Sequence, residues 1–246
     1  PILNPKRRCV MDAMITIDDN QLLTNYRLIK QALNTANDQA VQMNPTHRPA
    51  KLIAVSKTKP VAMIQTLFHQ GQQDFGENYL QEALGKISQL SQLPIIWHYI
   101  GSIQRNKTRD IAKHFDWVHT LEREIIAQRL NEQRAGMQPL NVLIQINIDD
   151  ESSKSGCKPT ELPTLIEQII NYKNLNLRGV MVIPSQQTVD AFARTKVLFD
   201  AMARRFDLPN WDTISMGMSG DMTQAVAHGS TMVRVGTAIF GERDHR

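Results

Sequence analysis

The stretch that decides the fold is KLIAVSKTKP, residues 51–60. Its apolar run from Leu52 to Val55 is too short for a helix and contains β-branched residues, which favours a buried strand. Pro60 fits the first turn of a following helix, because its φ is already fixed near the helical value. The stretch therefore predicts a strand, a polar turn that contains Lys57, and then a helix.

Lys57 is the first candidate functional residue, because it would leave this strand at the carboxyl end. Ligands bind at that end of the strands in α/β proteins. A lysine shielded from water there deprotonates more easily and can attack a carbonyl carbon. Lys57 is therefore a candidate for Schiff-base formation. The alternative is a solvated lysine at a strand end, which is the common role of this residue type.

Outward from this stretch, short apolar runs alternate with longer amphipathic ones. Strands are predicted at residues 52–56, 74–76, 95–100, 117–120, 140–148, 177–183, 212–216 and 231–235. Helical patterns between them include residues 61–70, 78–93, 122–135, 161–172 and 189–206. Strict alternation predicts parallel strands with right-handed crossovers, and eight such units close a barrel. The predicted fold is thus α/β, a single (β/α)8 TIM-type barrel.

An open doubly wound sheet is the main alternative architecture. No GxGxxG motif follows the first strand and no GxxxxGK[ST] motif occurs, so the nucleotide-binding motifs of open sheets are missing. For domain organisation we predict an irregular extension at residues 1–16 and one barrel domain over residues 17–246. An extra N-terminal helix at residues 17–43, capped by Thr16 or Asp18, would begin that domain.

Composition limits the class of protein. The chain has 246 residues, 41% hydrophobic and 21% charged, which is typical of a globular protein. Cys9 and Cys157 form no CxxC pair, so the sequence predicts neither a disulfide framework nor a zinc site. The seven histidines show no metal-ligand spacing, and no metal site is predicted. These features fit a cytoplasmic protein.

The net charge of +4 raises the question of nucleic-acid binding. Beyond Lys6, Arg7 and Arg8 the basic residues are scattered among acidic ones, which is typical of a solvated surface. No apolar run approaches the length of about 18 residues that a membrane span needs. The sequence therefore predicts binding to neither nucleic acid nor membrane.

Two glycine-containing turns follow the last two predicted strands, within residues 215–222 and 232–241. This is where (β/α)8 barrels frequently bind phosphate. Glycines let the backbone approach an anion, and N–H groups at a helix start attract it. Ordinary tight turns are the alternative. The candidate phosphate-binding residues are Ser219, Gly220, Gly236 and Thr237.

Arg234 lies among valines on the last predicted strand, where a buried guanidinium needs a partner. An ion pair with Asp or Glu is one explanation, and a hydrogen bond to the ring nitrogen of a cofactor is another. An amine at Lys57, an anion-binding turn and Arg234 together match the aldehyde, phosphate and pyridine nitrogen of pyridoxal 5'-phosphate (PLP). The predicted cofactor is therefore PLP.

Seven segments, in order over about residues 20–243, carry a resemblance to a known family. They are AVSKTKP (54–60), FGENYLQE (75–82), WHYIGSIQRNK (97–107), NVLIQINIDDESSKSG (141–156), LRGVM (177–181), SMGMSGDM (215–222) and MVRVGTAIFG (232–241). They resemble the pyridoxal phosphate homeostasis protein family. The resemblance implies a barrel similar to the N-terminal domain of alanine racemase, with PLP on Lys57, Asn78 near the cofactor, Arg234 at the pyridine nitrogen and phosphate at the two turns.

The resemblance implies a protein that holds PLP reversibly and buffers it, or delivers it to apo forms of PLP-dependent enzymes, with little or no catalysis. A PLP-dependent amino-acid racemase is the alternative. Racemisation needs acid–base groups on both faces of the substrate carbanion, and similar racemases add a second domain bearing a tyrosine, whereas this sequence stops at Arg246. A barrel enzyme for another phosphate ester remains if Lys57 holds no cofactor. A monomer is expected.

Four further residues complete the sequence-based hypotheses. Gly220 stands where the family favours an acidic or other small residue, a change that a backbone contact to phosphate would tolerate. Lys154, in DDESSKSG, would offer another amine from a loop, although a plain hydrophilic turn is an equal alternative. A secondary role for Lys59 is also open. His98 lies at a strand end near the predicted site, and a core or loop role is favoured for it.

Overall fold

Eight parallel strands follow one another around a closed barrel, and the last strand pairs with the first. The computed structural model describes residues 17–185 and 190–242. The strands are β1 Lys51–Val55, β2 Asp74–Glu77, β3 Ile96–Tyr99, β4 Trp117–Leu121, β5 Leu140–Ile146, β6 Leu175–Val182, β7 Thr213–Ser215 and β8 Met232–Val235. The predicted (β/α)8 barrel is confirmed, and the open-sheet alternative is wrong.

Helices surround the barrel. They are α1 Asp19–Met43, α2 Val61–His69, α3 Leu80–Gln89, α4 Thr108–His114, α5 Glu124–Gln133, α6 Leu162–Ile169, α7 Ala191–Arg205, α8 Met222–Ala227 and α9 Thr237–Phe240. A 3-10 turn, Arg105–Lys107, precedes α4. The predicted helical patterns did not include α4, because seven residues are too few to show a clear helical period.

The extra N-terminal helix α1 begins at Asp18, whose side chain accepts a hydrogen bond from Gln21 N at 2.7 Å. It packs on α8 and α9 and buries Leu22 and Leu33 completely or nearly so. Burial of each such side chain stabilises the fold by roughly 1.5–3 kcal/mol. The helix therefore belongs to the outer layer of the barrel.

Some predicted boundaries lie outside the described residues. These are the irregular extension at residues 1–16, the alternative cap Thr16, and the predicted start of α7 at residue 189. Among the residues that the structure does describe, no helix is both long and apolar enough to cross a membrane.

The inside of the barrel holds a small apolar cluster of Ile53, Trp117, Leu143, Met181 and Met232, separate from the larger core between barrel and helices. Polar side chains that are equally buried accompany this cluster. They are His98, His119, Ser215 and Arg234. The barrel interior is therefore partly polar, which is unusual for a packed core and points to a requirement other than stability.

Candidate functional site

A cavity of about 240 Å³ lies at the carboxyl ends of the strands. It brings together residues from β1, β6 and β8 and residues that follow β1, β2, β3, β6, β7 and β8. Its lining consists of Val55, Lys57, Lys59, Asn78, Ile100, Met181, Ile183, Met218, Ser219, Arg234, Gly236, Thr237 and Gly241. All the predicted site residues except Gly220 are in this set.

Gly220 is the predicted residue that the structure places elsewhere. It follows Ser219 in the same turn, but it does not line the cavity. A Cβ at this position would meet no atom within 4 Å, so Gly220 faces open space. The sequence could locate the turn but not the direction in which each of its residues points.

The turn that carries Lys57 is held on both sides. Lys57 is half-buried, and the next residue, Thr58, has a φ of 64°, a left-handed value that is rare for a β-branched residue. Thr58 N donates a hydrogen bond to Glu82 Oε1 at 2.6 Å, and Lys59 N donates to Ser56 O at 3.0 Å. These bonds maintain a backbone conformation that would otherwise cost of order 1–3 kcal/mol.

A buried ion cluster lies beneath this turn. Lys86 Nζ on α3 donates to Glu77 Oε1 at 2.7 Å and to Ser56 O at 2.7 Å, and it pairs with Glu82 at 2.5 Å. Ser56 Oγ donates to Glu77 Oε1 at 2.6 Å. Burial raises the pKa of Glu77, and the Lys86 ammonium opposes that rise. The cluster fixes both neighbours of Lys57, which makes Lys86 a supporting residue that the sequence-based prediction missed.

The phosphate-binding prediction concerns the ends of β7 and β8. A Cβ at Gly236 would lie 3.2 Å from Val55 O and 3.3 Å from Val55 Cβ, so a glycine lets the end of β8 approach β1 beside Lys57. Helix α9 begins at Thr237, and the first N–H groups of a helix have no acceptor within it. Ser219 and Thr237 add hydroxyl donors to the lining. This edge of the cavity therefore offers several hydrogen-bond donors to an anion.

Arg234 is buried, and its neighbours are neutral. Its Nη1 donates to Ser215 Oγ at 2.6 Å and its Nη2 donates to Val182 O at 3.0 Å. The ion pair with Asp or Glu that was one sequence-based explanation is not found among the described residues. Burial lowers the pKa of Arg234 to about 10, opposed by the more distant Asp221. The guanidinium is still charged at neutral pH, so the cavity contains a cation without a paired carboxylate.

Asn78 provides a buried acceptor. Its Oδ1 atom is inaccessible to water and has no hydrogen-bond partner in the described structure. Buried polar atoms are normally satisfied, and this residue lines the cavity. A donor on a bound ligand would satisfy it.

The other candidates are placed as follows. Lys154 Nζ donates to Asp149 Oδ2 at 2.7 Å and is absent from the cavity lining. Lys59 does line the cavity, and its Nζ donates to Glu242 O at 2.6 Å. His98 is fully buried inside the barrel, which is the core role that was favoured for it. The described residues contain no group of three or more side chains that could hold a metal ion.

The described lining also lacks ordinary acid–base groups. It contains no Tyr, His, Cys, Asp or Glu. Lys57, Lys59 and Arg234 are its titratable members. All three are basic, so the charges of the lining favour an anionic ligand, and it offers few groups that could transfer protons to a substrate.

Comparisons with known proteins agree with this fold. The family model for the alanine racemase N-terminal domain matches residues 17–244. A pyridoxal phosphate homeostasis protein from Pseudomonas aeruginosa is 53% identical over 240 residues, which cover 94% of this chain and 98% of the relative. A protein of the same name from Haemophilus influenzae is 47% identical over 229 residues, covering 90% of this chain and 95% of the relative.

Two solved structures illustrate the range of structural similarity. PipY of Synechococcus elongatus with PLP bound is 32% identical, with a TM-score of 0.72, covering 84% of this chain and 100% of that chain. An alanine racemase from Corynebacterium glutamicum is 19% identical, with a TM-score of 0.65, covering 93% of this chain and 62% of that chain. The racemase similarity concerns the fold alone.

Proposed function

Because this chain belongs to the pyridoxal phosphate homeostasis protein family, we propose that it binds PLP in the cavity, holds it as a Schiff base on Lys57, and buffers or delivers it. One observation carries this proposal. A lysine amine, a buried guanidinium without a paired carboxylate and a glycine-containing turn meet in one cavity of about 240 Å³.

Each polar group of PLP has a complementary group in the lining. Lys57 would hold the cofactor through its aldehyde, in a condensation that forms a C=N bond and releases one water molecule. Ser219, Gly236 and Thr237 surround the position proposed for the phosphate. Arg234 would hold the pyridine nitrogen, and the unsatisfied Asn78 Oδ1 would accept from a donor on the cofactor.

We further propose that the bound cofactor supports little turnover. PLP supplies an electron sink for carbanions, and this sink is strongest when its ring nitrogen is protonated. Arg234 is a donor that keeps its own proton at neutral pH, so it disfavours protonation of a ring nitrogen facing it. The described lining also lacks the paired acid and base that racemisation needs.

The test of attachment is direct. Purified protein is mixed with PLP, its visible spectrum is recorded, and the complex is reduced with borohydride and mapped by mass spectrometry. We expect the label on Lys57 and its complete loss in Lys57→Ala. Lys196→Ala, which removes a lysine from a different cavity, is the matched control and should keep the label. An unchanged spectrum in Lys57→Ala would refute the assignment.

The test of buffering compares transfer with turnover. We expect the protein to reactivate an apo PLP-dependent enzyme, while exchanging the α-proton of alanine or serine far more slowly than about 1 per second, the low end of ordinary enzyme rates. Exchange at or above that rate would replace the buffering proposal with a racemase.

A further inference from the structure

A chain of buried hydrogen bonds inside the barrel leads to Arg234, and the proposed function makes no use of its other members. The distances are 2.7 Å from Asp74 Oδ1 to His98 Nε2, 2.9 Å from His98 Nδ1 to His119 Nε2, 2.9 Å from His119 Nδ1 to Ser215 Oγ, and 2.6 Å from Ser215 Oγ to Arg234 Nη1. Both histidines and the serine are 0% exposed.

This chain crosses the barrel. Asp74 is the first residue of β2, so it lies at the amino end, where Lys51 Nζ also donates to it at 2.7 Å. His119 on β4 and Ser215 on β7 are on strands that are not neighbours in the sheet. Their bond therefore passes through the interior, and the chain connects the amino end of the barrel to the cavity.

With both histidines neutral, the two ends of the chain determine the direction of every hydrogen bond in it. An ionised Asp74 can only accept, and Arg234 can only donate. Each group between them must therefore donate one hydrogen toward Asp74 and accept one from the side of Arg234. His98 and His119 then carry their hydrogen on Nε2, and the Ser215 hydroxyl donates to His119 Nδ1. With either histidine doubly protonated, Ser215 Oγ would instead accept from both His119 and Arg234.

The charges around the histidines agree with this arrangement. Burial lowers the pKa of both His98 and His119, and the nearby cations Lys51 and Arg234 act in the same direction. Asp74 and Asp116 oppose this for His98. Hydrogen bonds from His98 and Lys51 hold the pKa of Asp74 below its usual value despite its burial, so the carboxylate is ionised.

We propose that Asp74, His98, His119 and Ser215 are positioning residues that fix Arg234 toward the cofactor by presenting Ser215 Oγ as an acceptor. While its own hydrogen is held by His119, Ser215 Oγ has its lone pairs directed to the side of Arg234. The role at the cofactor rests on the proposed function. The hydrogen-bond direction within the chain does not, because it follows from the side chains alone.

The first experiment needs no cofactor. Long-range ¹H–¹⁵N NMR spectra of the full chain distinguish the two neutral histidine tautomers, with signals assigned through His98→Asn and His119→Asn. We expect His98 and His119 to be neutral with hydrogen on Nε2 across about pH 6 to 8. Hydrogen on Nδ1 of either ring, or a doubly protonated ring in that range, would overturn the arrangement.

The second experiment measures the effect at the cavity. Ser215→Ala should weaken PLP binding about tenfold and shift the visible spectrum of the bound cofactor, because Arg234 loses an acceptor. Ser230→Ala is the matched control, since Ser230 is also 0% exposed and donates to Met216 O at 2.7 Å outside the chain. Equal affinity and equal spectra for the two variants would refute the proposal.

A variant at the far end covers the case in which Ser215→Ala does not fold. The asparagine side chain of Asp74→Asn offers both a donor and an acceptor, so this variant should contain a mixture of His98 tautomers. Asp116→Asn is the control, because Asp116 accepts from Trp97 N instead. We expect no mixture of His98 tautomers in that variant. A single His98 tautomer in Asp74→Asn would contradict the inference. Absence of a Lys57-dependent spectrum in the unmodified protein would instead refute the proposed function.

Discussion

The two ends of the barrel each carry a cavity, and the two differ in size and in the pairing of their charges. At the amino ends of β1, β7 and β8 a cavity of about 590 Å³ contains Arg48, paired with Asp212 at 3.1 Å, and Lys196, paired with Asp200 at 2.5 Å. The carboxyl-end cavity, about 240 Å³, contains Arg234 with neutral partners only. The unpaired charge of Arg234 therefore distinguishes the candidate site from the other cavity better than cavity volume does.

The strongest test of this difference compares a lysine beneath the candidate site with one at the larger cavity. Lys86→Met leaves Glu77 buried without its countercharge, so we expect a loss of about 3–5 kcal/mol in the free energy of unfolding. Lys196→Met breaks a half-exposed pair and should cost about 0–1 kcal/mol. Urea denaturation of both variants measures the two losses. Equal losses would mean that the ion pairs of Lys86 and Lys196 contribute equally to the stability of the fold.

The pH dependence of Lys86→Met gives a second check on the same prediction. The pKa of Glu77 is raised by burial, and removal of Lys86 removes the charge that opposes this rise. A group whose pKa is raised in the folded state contributes stability at low pH and loses it as pH increases through that pKa. The variant should therefore be closer to the unmodified protein at about pH 5 than at about pH 8.

The next prediction concerns the phosphate. Two charge-assisted hydrogen bonds at about 1.5 kcal/mol each would supply about 3 kcal/mol, or roughly 100-fold in affinity. We therefore expect PLP to bind at least about 100-fold more tightly than pyridoxal, measured by spectroscopic titration. Lys196→Met should leave this ratio unchanged. Similar affinities for PLP and pyridoxal would show that the turns after β7 and β8 are only turns.

The smallest expected effect compares two glycines. Gly236→Ala places a Cβ within 3.2 Å of Val55 O. We therefore expect the binding free energy of PLP to become less favourable by about 1 kcal/mol, the low end of overpacking costs. Gly85→Ala, in an exposed position of α3 with no atom within 4 Å, should raise stability by about 0.5–1 kcal/mol without changing affinity. Thermal denaturation and PLP titration separate the two effects.

Local sequence patterns predicted strands such as β1 and β5 because each contains a short apolar run. The predicted β1 differs from the observed strand by one residue at each end, and β5 extends two residues less than expected. Lys57 and Gly236 could also be predicted from the sequence, since each lies within two residues of the end of a strand. These features depend on residues close together in sequence.

The hydrogen bonds that hold Arg234 and the turn of Lys57 in place could not be predicted from local sequence patterns. The bond between His119 and Ser215 joins residues 96 positions apart, and the Lys86 to Ser56 bond depends on the packing of α3 against β1. One signal was present: a histidine is the third residue of both β3 and β4, beside aromatic and aliphatic residues. The alternative of a carboxylate partner for Arg234 is not found among the described residues, where Arg234 donates to the neutral acceptors Ser215 Oγ and Val182 O.

The seam between β1 and β8 determines when the site can exist during synthesis of the chain. Ile53 pairs with Arg234 across that seam, and Lys57 follows the first barrel strand while Gly236 follows the last. When β1 through β7 have left the ribosome and β8 has not been made, the chain contains Lys57 but neither Arg234 nor the turn after β8. The residues that line the cavity therefore come together only after the barrel has closed.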